Sequence, residues 1–84
     1  MNSKHRRTLE AVFRDPVLGS LEWADIESLL LAVDCTLIEG SGSRVRFHKD
    51  GYVEIFHRPH PAKEAKRYQV RAVRAYLIRL GITP

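Results

Sequence analysis

Gly42-Ser43-Arg44-Val45-Arg46-Phe47-His48-Lys49-Asp50-Gly51-Tyr52-Val53-Glu54-Ile55-Phe56-His57 is the stretch on which the fold turns. Two runs rich in β-branched and aromatic residues, Ser43 to His48 and Tyr52 to His57, flank Lys49-Asp50-Gly51, and Asp-Gly between such runs is a strong signal for a tight hairpin. Upstream, Cys35 to Glu39 is a third short run, set off by Gly40 and Gly42, so the three should form an antiparallel meander. Side chains alternate along a strand, which puts Val45 and Phe47 on one side and Arg44, Arg46 and His48 on the other. In the third run Val53 and Ile55 are expected on the apolar side, with His57 sharing their parity and partly buried. Tyr52, Glu54 and Phe56 are then expected beside the arginines.

On either side of the meander the apolar period becomes helical. Trp23, Ile26, Leu29, Leu30 and Val33 form one stripe of a helix from about Glu22 to Val33. Val70, Val73, Leu77 and Leu80 form the stripe of another from about Lys66 to Leu80, with Gly81 placed for a left-handed C-cap. Ser3 is the expected N-cap of a first helix that Asp15-Pro16 ends, because the residue before proline disfavours the α region. The expected architecture is α+β: a three-stranded antiparallel sheet with two helices on one face, α-β-β-β-α, plus an extra N-terminal helix. The opposite face of the sheet is left open to a partner.

The chain has 84 residues, enough for one domain and a modest core, so function should sit on a surface. Its hydrophobic content of 44% and charged content of 29% are those of a folded chain rather than a disordered one. The single cysteine, Cys35, excludes an internal disulfide and a cysteine-rich zinc site, and reads as a small buried hydrophobe. No run reaches the ~18 apolar residues of a membrane span, and the N-terminus lacks a signal-peptide core. A cytoplasmic location and the whole chain as the mature protein are therefore expected.

The formal charge of +4 is unevenly spread. Leu21 to Asp34 carries Glu22, Asp25, Glu27 and Asp34 and no Lys or Arg. Arg58 to Arg79 carries Arg58, Lys63, Lys66, Arg67, Arg71, Arg74 and Arg79 against Glu64 alone. So few acids leave no counter-charge along the last helix, which favours phosphate contact by Lys63, Lys66, Arg67, Arg71 and Arg74 over a merely solvated face. Arg44 and Arg46 extend this basic surface onto the sheet.

The element order resembles the double-stranded-RNA-binding-domain fold, which reads RNA by shape, phosphate and 2′-hydroxyl contacts. More narrowly, Gly42-Ser43-Arg44-Val45-Arg46-Phe47 with Asp50-Gly51, then Pro59-His60-Pro61-Ala62-Lys63-Glu64, Val70-Arg71-Ala72-Val73 and Leu80-Gly81-Ile82 resembles the HicA family of bacterial toxins. The resemblance implies a single domain over residues 1–84, in which 21–83 is the HicA-like core and 3–14 an added helix. It implies cleavage of messenger RNA without metal or other cofactor, and neutralisation by a HicB-like antitoxin.

The family motif is Gly-Ser-His-X-X-Phe, with the histidine catalytic, and here Arg44 stands in that place. An arginine stays protonated, so Arg44 can bind phosphate or stabilise a charged transition state but cannot take up a proton. Histidine suits proton transfer near neutral pH, and the histidines available are His48, four residues along the strand from Arg44, His57, which ends the third run and reads rather as a partly buried, satisfied side chain, and His60, in the Pro-His-Pro loop. Against catalysis, His60 reads more readily as a loop residue bonded to backbone, and His48 equally as solvent-exposed beside the turn. His57 and His60 could bind metal as a pair, but no further histidine or cysteine lies near them. His5 reads as surface. Tyr52 and Phe56 are candidates for stacking on bases or receiving the antitoxin. Two functions remain open at this point: an RNA-cleaving toxin, and a non-catalytic RNA-binding module of the same fold.

Overall fold

The computed structural model describes residues 1–84 and gives α1 (Ser3–Val12), α2 (Trp23–Ala32), β1 (Thr36–Glu39), β2 (Arg44–Lys49), β3 (Tyr52–His57) and α3 (Arg67–Arg79). The three strands form one antiparallel sheet in the order β1-β2-β3, as the meander predicts. Each helix is ended by local chemistry. Asn2, not Ser3, caps α1, its side chain accepting from the His5 N–H at 2.8 Å. At the end of α3, Gly81 takes φ 77°, so that its N–H reaches the Ile78 carbonyl and that of Ile82 reaches Leu77. This is the paired-bond glycine stop expected from the sequence.

The β2–β3 hairpin is closed by Asp50 and Gly51 alone, with φ of 52° and 82°, so Lys49 pairs directly with Tyr52. That pairing overturns the expected faces of β3. Counted outward from the turn, Phe47 lies opposite Glu54 and Val45 opposite Phe56. Phe56 is thus a core residue, 5% exposed, packed against Trp23 and Phe47 at ring-centroid distances of 5.4 and 6.3 Å. Val53 and Ile55, expected inside, are instead 47% and 51% exposed. His57 is exposed with them, rather than partly buried.

The core lies on the other side of the sheet, where Val45, Phe47 and Phe56 meet Trp23, Ile26, Leu29 and Leu30 of α2 and Val70, Val73, Tyr76 and Leu77 of α3. α1 belongs to the same core through Leu9 and Val12, both buried. Polar contacts tie it down further: His5 Nε2 lies 2.8 Å from Ser28 Oγ, and Lys4 pairs with Asp25 at 3.3 Å. His5 is therefore a joint between α1 and α2 rather than a surface group. Cys35 is buried, as expected, and desolvation pushes its thiol pKa up. No helix is long and apolar enough to cross a membrane.

Candidate functional site

The register of the sheet decides what its open face presents. Across β2 and β3 the residues opposite one another on that face are Arg44 and His57, Arg46 and Ile55, and His48 and Val53. The Arg58 N–H donates to the Ser43 carbonyl at 2.8 Å, which makes that neighbouring couple a hydrogen-bonded pair. Alternation then makes all three open-face couples non-hydrogen-bonded pairs, whose Cα atoms approach to about 4.5 Å and whose side chains lie closest. On the β1 side, Ile38 is the neighbour of Arg46 and Thr36 that of His48. The face is thus an apolar strip of Ile38, Val53 and Ile55 threaded by Arg44, Arg46 and two histidines.

Beside Arg44 on the β1 side there is no side chain at all. The Gly40 N–H donates to the Arg44 carbonyl at 2.8 Å. A Cβ at Gly40 would come within 3.0 Å of that oxygen and 3.1 Å of Arg44 Cβ. The guanidinium stem of Arg44 therefore lies over a glycine, with His57 on its other flank.

The start of α3 is fixed against the same end of the hairpin. Gln69, buried in the first turn, accepts from the Lys66 N–H at 2.9 Å and donates through Nε2 to the His57 carbonyl at 2.7 Å. One side chain thereby caps the helix and pins the last residue of β3. The stretch before α3 is anchored too. The Ala65 N–H donates to the Leu21 carbonyl at 2.7 Å and the Trp23 N–H to that of Lys63 at 2.9 Å. Lys63 and Lys66 stand exposed on this support, with Arg71 one turn into the helix, and none of the three makes an ion pair. Arg44 and Arg46 are unpaired as well.

Other cations of the basic last third are bonded to other parts of the chain. Arg74 donates through Nε to the Val12 carbonyl at 2.9 Å and through a terminal nitrogen to that of Arg14 at 2.6 Å, and lies over the Phe13 ring. It closes the C-terminal end of α1, so its guanidinium is engaged with backbone carbonyls and Asp15 rather than free. Arg67 lies across Gly19, where a Cβ would come within 2.9 Å of its Cζ, and Nε reaches the Val17 carbonyl at 3.3 Å. Arg58 is gripped by two carboxylates, Glu27 at 2.7 Å and Glu39 at 2.8 Å, and Trp23 Nε1 donates to the same Glu27. This bridge joins α2, β1 and the end of β3, and holds the Glu39 carboxyl below its usual pKa. A pocket of about 420 Å³ lies beside it, lined by Trp23, Glu27, Arg58, Pro59 and Pro61.

Of the remaining sequence candidates, His48 is half-buried at the turn end of the open face and His60 is exposed in the loop beyond the sheet. Tyr52 lies with Phe56 on the helix side, its ring under the Arg79 guanidinium at 5.2 Å, so neither sits beside Arg44. The sequence names His57 among the histidines but places it partly buried with Val53 and Ile55, and it marks neither Gly40 nor Gln69 as part of a site. The length of the Asp50-Gly51 turn was the signal that would have put His57 beside Arg44.

The family described as HicA toxin of bacterial toxin-antitoxin matches residues 23–82. The chain belongs to the HicA toxin family. The matched segment runs from the first residue of α2 past the end of α3, so the HicA unit is α2-β1-β2-β3-α3 and α1 is added to it. No curated protein and no solved structure gives a match. Membership places the chain in a toxin–antitoxin system, and Arg44, where the sequence resemblance implies a histidine, lies on the open face of the sheet of this HicA protein.

Proposed function

We propose that this HicA-family chain is a cytoplasmic toxin that binds and cuts messenger RNA and is held inactive by a HicB-like antitoxin. The observation that carries the reading is a cationic surface without counter-charge, Arg44 and Arg46 on the sheet with Lys63, Lys66 and Arg71 at the start of α3, in a chain of this family. On the open face Arg44 and Arg46 lie among exposed apolar side chains, which suits a single-stranded polyanion: phosphates meet the cations, Ile38, Val53 and Ile55 meet bases or sugars, and Lys63, Lys66 and Arg71 add positive charge beyond the sheet. The same apolar strip, rather than Tyr52 and Phe56, is the surface for an antitoxin with an acidic and apolar contact patch.

Induced expression in a bacterial host tests the toxin reading. Growth arrest with loss of intact messenger RNA is expected, and relief on co-expression of the product of the adjacent gene. Undisturbed growth with intact messenger RNA would remove the reading. Binding is tested separately with single-stranded RNA at several salt concentrations. R44A, R46A and R71A should each weaken binding and flatten the logarithmic salt dependence by about 0.7 for every phosphate no longer neutralised.

Arg44 in place of histidine favours a second reading, an RNA-binding module of the same fold without cleavage. Purified wild type decides it: RNA bound but left uncut selects the second reading.

A further inference from the structure

We propose that His57 and Arg44 form a catalytic dyad, with His57 the proton acceptor from the RNA 2′-hydroxyl and Arg44 the ligand of the phosphate it attacks. The inference rests on the cleavage reading above and supplies the group that Arg44 itself cannot be. The geometry points to His57 over its rivals. The 2′-oxygen and the phosphorus it attacks belong to one nucleotide and sit about 3 Å apart at reaction, so base and phosphate ligand must be immediate neighbours. Arg44 and His57 are directly opposed in a non-hydrogen-bonded pair, with Cα atoms about 4.5 Å apart. His48 lies four residues along the strand from Arg44, about 13 Å between Cα atoms, at the other end of the face. His60 lies outside the sheet.

Two further features suit the pair to a phosphodiester. Gly40 leaves the β1 flank of Arg44 bare, so a phosphate approaches the guanidinium without a side chain in its way. Gln69 holds the His57 carbonyl from the core side and so fixes the strand end that carries the imidazole. Exposure is appropriate as well: His57 is open to solvent and substrate.

The step balances without a cofactor. The imidazole of His57 removes the proton of the 2′-hydroxyl, the 2′-oxygen forms a bond to phosphorus, and the bond from phosphorus to the 5′-oxygen breaks. Arg44 holds the two non-bridging oxygens as negative charge builds on them. The departing 5′-oxygen takes a proton from water, and the hydroxide so formed takes the proton from His57. The products are a 2′,3′-cyclic phosphate and a 5′-hydroxyl.

The full-length protein and a labelled messenger-RNA transcript provide the test, with single-turnover rates measured at saturating protein alongside binding by fluorescence anisotropy. H57Q and H57A should cut at least about 100-fold more slowly, the contribution of a positioned general base, while binding RNA as wild type does. Because His57 is exposed, both variants should melt within a few degrees of wild type. H48A and H60A should keep rates within a few-fold of wild type, and the 3′ ends produced should be cyclic phosphates. Undiminished cleavage by H57Q would overturn the dyad, as would a loss confined to affinity or products ending in a free 3′-hydroxyl. Wild type that binds without cutting removes the cleavage reading and the dyad together, whereas cleavage by wild type and H57Q alike removes the dyad alone.

Discussion

Replacing Arg74 with alanine separates a structural cation from an RNA-binding one. In the folded protein its Nε donates to the Val12 carbonyl, the last of α1, one terminal nitrogen donates to that of Arg14 just beyond the helix, and the side chain is only 19% exposed. Each bond from a cation to a helix-end carbonyl contributes about 1 kcal/mol here, at the low end for a charged donor because the Arg14 carbonyl regains water when the side chain is removed. The stack on Phe13 adds about 0.5 kcal/mol, and Asp15, 81% exposed, adds little. The sum is about 2.5 kcal/mol, which for a domain of this size lowers the melting temperature by about 10–20 °C. R74K places one point donor where a fork bridged two carbonyls, and should recover no more than about half of the loss. Thermal denaturation followed by far-UV circular dichroism measures this, and RNA affinity is read well below the transition. R74A should melt early and bind RNA as wild type does, whereas R71A should melt with wild type and bind more weakly. An R74A protein that melts with wild type but loses RNA affinity would refute the assignment.

The reversed faces of β3 predict that F56A destabilises by about 3 kcal/mol while I55A changes stability by less than about 0.5 kcal/mol, both read from urea unfolding midpoints. Equal effects would contradict the register. The Arg58 bridge gives a pH signature. Its guanidinium depresses the Glu39 carboxyl in the folded state, so that contribution is complete above the ordinary carboxyl value near 4.5 and is lost as pH falls through the lower folded value. The stability gap between wild type and R58A should therefore be constant from pH 7 to about 5 and narrow below that. A gap that widens in acid would contradict the bridge. Burial that raises the Cys35 thiol predicts no reaction with a disulfide reagent at pH 8 until denaturant is added, and rapid stoichiometric labelling of the native protein would contradict it.

Features written in neighbouring residues were legible. The helical stripes of α2 and α3, the Asp50-Gly51 turn and the Gly81 stop each depend on residues within about one turn of one another, and each stands where expected. Misreadings came from partners far away in the chain. Arg74 meets Val12 across 62 residues, Arg58 meets Glu27 across 31 and His5 meets Ser28 across 23, and nothing local in the sequence marks those unions. A run of cations without nearby acids thus overstated the free positive charge, because backbone carbonyls and distant carboxylates had claimed Arg74 and Arg58. The faces of β3 are a different case. Val53 and Ile55 look like core residues by composition, but composition ranks below register: a two-residue loop pairs Lys49 with Tyr52 and carries Phe56 inward opposite Val45. Arg44 and His57 both stand out in the sequence, but that they face each other follows only from the strand register.

The hairpin joined by Asp50 and Gly51 has no slack. One residue inserted between Lys49 and Tyr52 would slide β3 by a single step against β2. With Lys49 paired to the inserted residue, Ile55 would take the core place opposite Val45 that the Phe56 ring now fills against Trp23, and a phenyl ring would replace the imidazole of His57 opposite Arg44. Loop length at this turn is thus under two demands at once, although the turn lies at the end of the hairpin remote from Arg44. A library of turn variants should accept changes of residue type that tolerate positive φ and reject every change of length by one, losing fold and RNA chemistry in the same step.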